Sequence, residues 1–210
     1  MRTGSALELR LWIAALAFAL GALAVGALVA HRAPGRLDVA AQSLRGTAVP
    51  LALFFTQLGR WPVLIGLGVV AFGAAMALRA GAGAVAVVVG AQVISQAANA
   101  LVKLGFQRAR PGGEIGVRET DLSFPSGHSV TAMVFFLGFA ILAWHAPLPR
   151  PVAAAVCALL AVCTVGIPWS RLALGAHYAT DVAGGLLLGA GFLCAALAVI
   201  VRFVPTAGAS

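Results

Sequence analysis

The sequence predicts an all-α fold: a polytopic membrane helix bundle of six transmembrane helices, forming a single domain over residues 1–210. Three observations carry that expectation. Hydrophobic residues make up 61% of the chain and charged ones 10%, far from the composition of a water-soluble domain of this length. The mean hydropathy is +1.01. The apolar residues fall in several runs of about 20, each long enough to cross ~30 Å of hydrocarbon as a helix. Water-soluble binding modules are excluded.

Taken in order, a short polar start with Arg2 and Arg10 precedes an apolar run at 11–30. A cleaved signal peptide is the competing reading, but the run is long for one and the rest of the chain is equally membranous, so an uncleaved first span is expected. Residues 31–60 are mixed. Pro34-Gly35 breaks the helix, and Leu37, Ala40, Ala41, Leu44 and Val49 then alternate with Asp38, Gln42, Arg45 and Thr47, as in an amphipathic surface segment. Residues 50–58 are apolar but short, which leaves two placements open, along the interface or partway into the bilayer. A second span is expected at 61–78, closed by Arg79 and the turn Ala80-Gly81-Ala82-Gly83.

The third span, 84–104, carries Gln92, Ser95, Gln96 and Asn99 on one helical face that continues to Lys103. Polar side chains inside a span face the bundle interior. They serve either as interhelical hydrogen-bonding groups or as a shell that orients Lys103. Residues 105–125 form the longest polar loop, too polar for hydrocarbon, in which Arg108, Arg118, Glu119 and Asp121 are expected to be solvated charges. A fourth span follows at 126–144, a proline-bearing turn at 145–150, a fifth span at 152–167 and a sixth at 178–202. In the sixth, Gly185 and Gly189 make a small-xxx-small face for close helix contact.

Trp12, Trp61, Trp144 and Trp169 fall near span ends, where indole rings settle at the membrane interface. Six spans put both termini on one side of the membrane, and the loops holding Lys103, Arg110, His128, Arg171 and His177 on the other. Orientation follows less directly. With the termini inside, Arg2, Arg10, Arg79, Arg150 and Arg202 lie inside against the other nine of the 14 Lys and Arg outside. Several of the outside cations answer to chemistry, however, and the inside loops are short and almost purely basic, so termini-inside is expected.

The formal charge is +8, and the basic residues are scattered over loops between spans. That pattern excludes a nucleic-acid stripe and suits an anionic lipid partner. Cys157, Cys163 and Cys194 all sit inside apolar runs, as small buried hydrophobes do. No cluster of Asp, Glu, His or Cys has metal-ligand spacing, so neither a metal nor another cofactor is expected. His31 and His145 lack partners and read as interfacial residues.

Chemistry concentrates where Ser170-Arg171 is followed by His177 and Asp181. If the chain is helical from Tyr178, His177 and Asp181 stand four apart on one face, where the carboxylate can accept Nδ1–H and leave Nε2 free to attack. Arg171 supplies a planar cation that suits phosphate oxygens. Ser126-Gly127-His128 opens a span: Ser is a good N-cap, Gly permits close backbone approach, and free amides at a helix start bind anions. His128 beside such a phosphate could protonate a leaving alkoxide. Lys103, Arg110 and Arg171 would balance charge on the equatorial oxygens.

Three patterns, K-x6-R-P from Lys103 to Pro111, P-S-G-H at 125–128, and S-R-x5-H-x3-D from Ser170 to Asp181, stand in register. Together they resemble the type 2 phosphatidic acid phosphatase superfamily, which also includes the vanadium haloperoxidases. The six-span layout resembles its membrane-bound branch. The resemblance implies a metal-independent lipid phosphatase with a phosphohistidine intermediate. His177 would be the nucleophile and Asp181 its orienting partner, with Lys103, Arg110, Ser126, Gly127, His128 and Arg171 around the phosphate. Phosphatidic acid, phosphatidylglycerophosphate and undecaprenyl diphosphate are all allowed, and no residue decides among them or states the oligomeric state. The expected location is the plasma membrane, with the active site on its outer face. Two alternatives remain: a phosphotransferase using the same phosphohistidine, and a non-catalytic lipid carrier.

Overall fold

The computed structural model describes residues 3–204 except 80 and 117, and it is helical throughout, with no strand among the described residues. Arg2 and Ala80, named above, lie outside the described residues. Five helices have the length and apolarity of a span: α1 (Thr3–Val29), α5 (Ala82–Phe106), the run Gly127–His145, α8 (Arg150–Ala173) and α9 (Ala179–Phe203). The run is α6 (Gly127–Thr131), a π-helical stretch at Ala132–Leu137 and α7 (Gly138–His145), continuous in backbone. α3 (Val49–Leu58) and α4 (Trp61–Ala77), bent by 58° at their junction, have the length and apolarity of a span only together, and counted as one they make a sixth.

That elbow decides the placement left open for residues 50–58. Pro50 and Pro62 each stand in the first turn of their helix, where a missing N–H is harmless. α3 descends along α8: Ala52 packs with Ala173 and Leu174, while Phe55 lies on Gly166 and Trp169. It thus runs into α4 as the first half of a bent pair that together has the length of a span. Trp169 therefore packs inward on Phe55 at a ring-centroid distance of 6.3 Å, and not as an interface anchor.

The fifth span is longer than its apolar run suggests. Pro168 lies inside α8, yet the helix continues to Ala173 and carries Ser170 and Arg171 in its last turns. An interior proline costs about 3 kcal/mol. Burial offsets it here, since Ile167, Ser170, Arg171 and Ala173 are all fully enclosed. Gly175, with φ of +67°, then turns the chain back.

Helix α9 is the central post. Its small residues admit neighbours at backbone distance: a Cβ on Gly189 would lie 2.7 Å from that of Met133, and one on Gly191 3.1 Å from the Ala15 carbonyl oxygen. α1 covers its other side. The amphipathic segment is a short helix, α2 (Arg36–Ala41), but its carboxylate is not solvated as the alternation predicts: Asp38 is buried against the start of α9. The ends of α5, α8 and the α3–α4 elbow, and the starts of α6 and α9, converge at one end of the bundle.

Candidate active site

The residues that line the cavity at that end come from six separate stretches of the chain. Lys103 leaves the last turn of α5, and Arg110 the extended loop that follows. Gly127 and His128 open α6, Arg171 ends α8, and His177 sits in the tight connection to α9. The cavity is about 390 Å³, with Gly59, Arg60 and Trp61 of the elbow on its opposite wall.

His177 lies outside the helix, since α9 begins at Ala179 with Tyr178 as its N-cap. The expected helical i,i+4 pair is therefore replaced by a loop-to-helix contact, with His177 Nδ1 3.7 Å from Asp181 Oδ2. That exceeds hydrogen-bonding range. Ser123 fills the gap: its hydroxyl donates to Asp181 Oδ2 at 2.5 Å and stands 3.5 Å from His177 Nδ1. Asp181 also accepts from the Tyr178 amide at 2.8 Å, the carboxylate half of a capping box.

On the cavity side, Arg110 Nη1 lies 3.1 Å from His177 Nε2 and also donates to the Ala176 carbonyl at 2.7 Å. A guanidinium can only donate, so Nε2 carries the lone pair and the ring proton sits on Nδ1, towards Ser123 and Asp181. Burial lowers the His177 pKa to about 4, with the positive charges of Arg171 and Arg110 adding to the effect and Asp181 opposing it. The imidazole is neutral at pH 7.

The cations are already paired. Lys103 Nζ lies 2.8 Å from Asp121 Oδ2 and donates to the Leu122 carbonyl. Arg110 binds the Asp121 carboxylate and, through Nε at 2.8 Å, its backbone oxygen. Arg171, fully buried, donates to Glu119 Oε1 and Thr56 Oγ1, each at 2.5 Å. Asp121 and Glu119 thus are not free solvated charges. Burial alone would raise the Asp121 pKa, but Lys103 and Arg110 overcome it and bring it down to about 2.

The opening of α6 differs in detail from expectation. Ser126 makes no side-chain cap, its hydroxyl is enclosed without a partner among the described residues, and its amide donates to the Asp181 carbonyl at 3.0 Å. It stands behind the cavity, as does Asp181, and ties α6 to α9. Gly127 and His128 face the cavity. The polar face of α5 fastens this turn: Gln96 donates to the Gly127 carbonyl at 3.1 Å, and Gln92 to Thr131 Oγ1 at 2.8 Å. Gln92 and Gln96 thus bond between helices, and Gln96 and Asn99 also line the cavity beside Lys103. The His128 ring rests on Gly59, with Nε2 3.1 Å from the Thr56 carbonyl oxygen.

Arg108, expected in solvent, is 4% exposed. Its Nη1 meets Asp181 Oδ1 at 2.6 Å, its Nη2 meets Asp38 Oδ2 at 2.8 Å, and its guanidinium lies 4.4 Å from the Tyr178 ring centre. Sequence reading missed Asp38, Arg108, Ser123, Thr56 and Gly59. Only Asp38 left a signal, a lone carboxylate between Leu37 and Val39.

The comparisons with known proteins agree with this architecture. The crystal structure of a transmembrane PAP2 type phosphatidylglycerolphosphate phosphatase from Bacillus subtilis superposes with a TM-score of 0.67 at 26% identity, covering 97% of this chain and 98% of that one. Phosphatidylglycerophosphatase B of Bacillus subtilis is 37% identical over 92 residues, 43% of this chain and 45% of the relative. A lipid A 1-phosphatase of Rhizobium johnstonii is 41% identical over 70 residues, 33% of this chain and 25% of the relative. The matched stretch thus spans less than half the length of these curated relatives. The sequence model of the PAP2 superfamily matches residues 80–205, more than half of the chain and every residue of the three motifs. The chain belongs to the PAP2 superfamily.

Proposed function

We propose that this membrane protein is a metal-independent lipid phosphatase acting through a phosphohistidine on His177. One observation carries the proposal. A neutral imidazole turns its unprotonated Nε2 into a cavity ringed by Lys103, Arg110, Arg171 and His128. A nucleophile among anion-binding cations suits attack on phosphorus.

In the first step the Nε2 lone pair forms an N–P bond as the P–O bond to the lipid breaks. The leaving alkoxide takes the Nε2 proton of His128, which enters the step as the imidazolium, its second proton stabilised by the negative charge of the bound phosphate, and exchanges the Thr56 carbonyl for that oxygen. Arg110 releases Nε2 and, with Lys103 and Arg171, holds the equatorial oxygens. The Nδ1 proton stays between Ser123 and Asp181, which stabilise the charge that develops on the ring. In the second step water attacks phosphorus, His128 accepts its proton, and the N–P bond breaks. The relatives' substrates frame the substrate class: a glycerolipid phosphate or another lipid phosphate or diphosphate of the envelope. The location that fits is the plasma membrane with the cavity on its outer face.

The test is phosphate release by the detergent-purified protein in EDTA, from phosphatidylglycerophosphate, phosphatidic acid, undecaprenyl diphosphate and lipid A. Release that vanishes in His177→Ala, with acid-labile label trapped on the wild-type chain, is the expected result. Unchanged release by His177→Ala would overturn the mechanism. Label passed to an added alcohol in preference to water would identify a phosphotransferase.

A further inference from the structure

We infer that Asp38 and Arg108 are positioning residues that govern the proton affinity and orientation of His177 through Asp181, in a buried charge chain running from α2 into the site. This rests on the reading of His177 as nucleophile. Neither residue is a specified position of the three motifs: Arg108 fills an unspecified place within the first, and Asp38 lies outside the stretch matched to the family.

The geometry is that of a relay of alternating charges. Asp38 Oδ2 meets Arg108 Nη2 at 2.8 Å, and Arg108 Nη1 meets Asp181 Oδ1 at 2.6 Å. Asp181 Oδ2 lies 3.7 Å from His177 Nδ1. Exposures of 2%, 4% and 0% for Asp38, Arg108 and Asp181 leave little solvent to screen the chain. Each partner is also fixed in place. Asp38 Oδ1 accepts from the Thr180 amide at 2.9 Å and from its hydroxyl at 2.8 Å, which holds α2 on the first turn of α9. Arg108 is further held by Thr180 Oγ1 at 2.7 Å.

Asp181 alone would pull a proton onto His177. Arg108 cancels part of that pull, and Asp38 restores part of it by drawing on Arg108. The net charge behind the ring is then that of one carboxylate. The other charged or titratable groups near His177 are Arg110 from the loop after α5, Arg171 of α8 and His128 of α6, with Lys103 and Arg60 elsewhere on the cavity wall and Arg45 beside the smaller cavity that Asp38 and His177 share; Asp121 and Glu119 are bound to Lys103, Arg110 and Arg171. None of them touches Asp38 among the described ion pairs and side-chain hydrogen bonds.

Removing the two members must therefore move His177 in opposite directions. Arg108→Gln leaves two carboxylates behind the ring and raises the midpoint of His177, by roughly one pH unit for a charge acting one residue removed. Asp38→Asn lowers it. The double variant, again with one carboxylate, returns towards wild type, as does the charge-conserving Arg108→Lys. A purely structural role would lower the melting temperature of each variant without moving the midpoint.

The experiment is an NMR titration of ring-labelled histidine in the detergent-solubilised full chain, with His177→Ala assigning the resonance. Opposite shifts for the two single variants, recovered in the double variant, are expected. A His177 midpoint that is the same in wild type and Arg108→Gln overturns the inference. The titration reads the charge chain whether or not the protein hydrolyses a lipid, while phosphate release by His177→Ala tests the nucleophile separately.

Discussion

At the scale of single residues, the site is a set of charges held ready by opposite charges. His177 shows the consequence for pH. Its ordinary value of 6.5 is brought to about 4, chiefly by burial, so the ring stays neutral through the whole range in which a free histidine would charge. Corrected for the substrate's own ionisation, kcat/KM is expected to hold down to about pH 5 and fall only as pH approaches 4. An acid limb at 6.5 would mean that the ring is solvated. The same depression places a stability term in that window. The unfolded chain takes up the proton below 6.5 and the folded one does not until about 4, so folding weakens as pH falls between those values. Asp121 yields a second expectation. It occupies Lys103 and Arg110, with its own side chain 54% exposed. On the proposed mechanism a phosphate displaces it. Exposed pairs are worth up to about 1 kcal/mol, so Asp121→Asn should lower the inhibition constant for inorganic phosphate by up to about fivefold; an increase would make Asp121 a brace for the two cations. The motif residues were legible because their chemistry demands fixed types at fixed spacings. Thr56 and Ser123 were not, because any hydroxyl would serve and only the fold decides which one arrives.

At the scale of the element, helix starts and ends do the positioning, and glycine sets how near they come. In a bilayer no hydrophobic drive presses helices together, so small residues set their approach. The pair Gly185 and Gly189 was readable as such a face, and its partner is the site itself. A Cβ on Gly185 would lie 2.8 Å from that of Ser129 and closer still to the Ser126 carbonyl oxygen. That oxygen accepts the Ser129 and Val130 amides and so begins α6. Gly185→Ala gains about 1 kcal/mol of helix propensity but meets backbone, where overpacking costs about 1–3 kcal/mol. A net fall in melting temperature is expected, with loss of activity as Gly127 and His128 shift. Gly66→Ala on α4, where nothing among the described residues lies within 4 Å, is the matched control and should be neutral or stabilising. Equal melting temperatures for the two variants would refute the close-approach argument. The element that sequence reading could not place was α3: ten apolar residues are too few for a span, and only the bend against α4 shows that they begin one.

At the scale of the whole molecule, parity of the spans orders the rest. With the bent pair counted once there are six crossings, α1 and α9 begin and end at the same side, and the cavity opens at the other. Apolar length made this legible without any motif, whereas charge bias alone pointed the opposite way, because cations that serve the cavity were counted as topology signals. The structure separates the two kinds. Lys103, Arg108, Arg110 and Arg171 are all ion-paired within the site end and say little about translocation. Removed from the tally, they leave Arg32, Arg36, Arg45, Arg60 and Arg118 on the cavity side, no more than the five expected inside. The bias disappears, and on the proposed function orientation rests on where a lipid phosphate would be presented. An exposed position on the cavity loop and one on the opposite turn give a direct reading: Arg118→Cys and His145→Cys, both at exposed residues. The native Cys157, Cys163 and Cys194 lie within α8 and α9, so the unmodified chain supplies the background. An impermeant thiol reagent on intact cells should label Arg118→Cys and spare His145→Cys until permeabilisation. The reverse pattern would place the cavity on the cytoplasmic side and restrict its substrates to lipids of the inner leaflet.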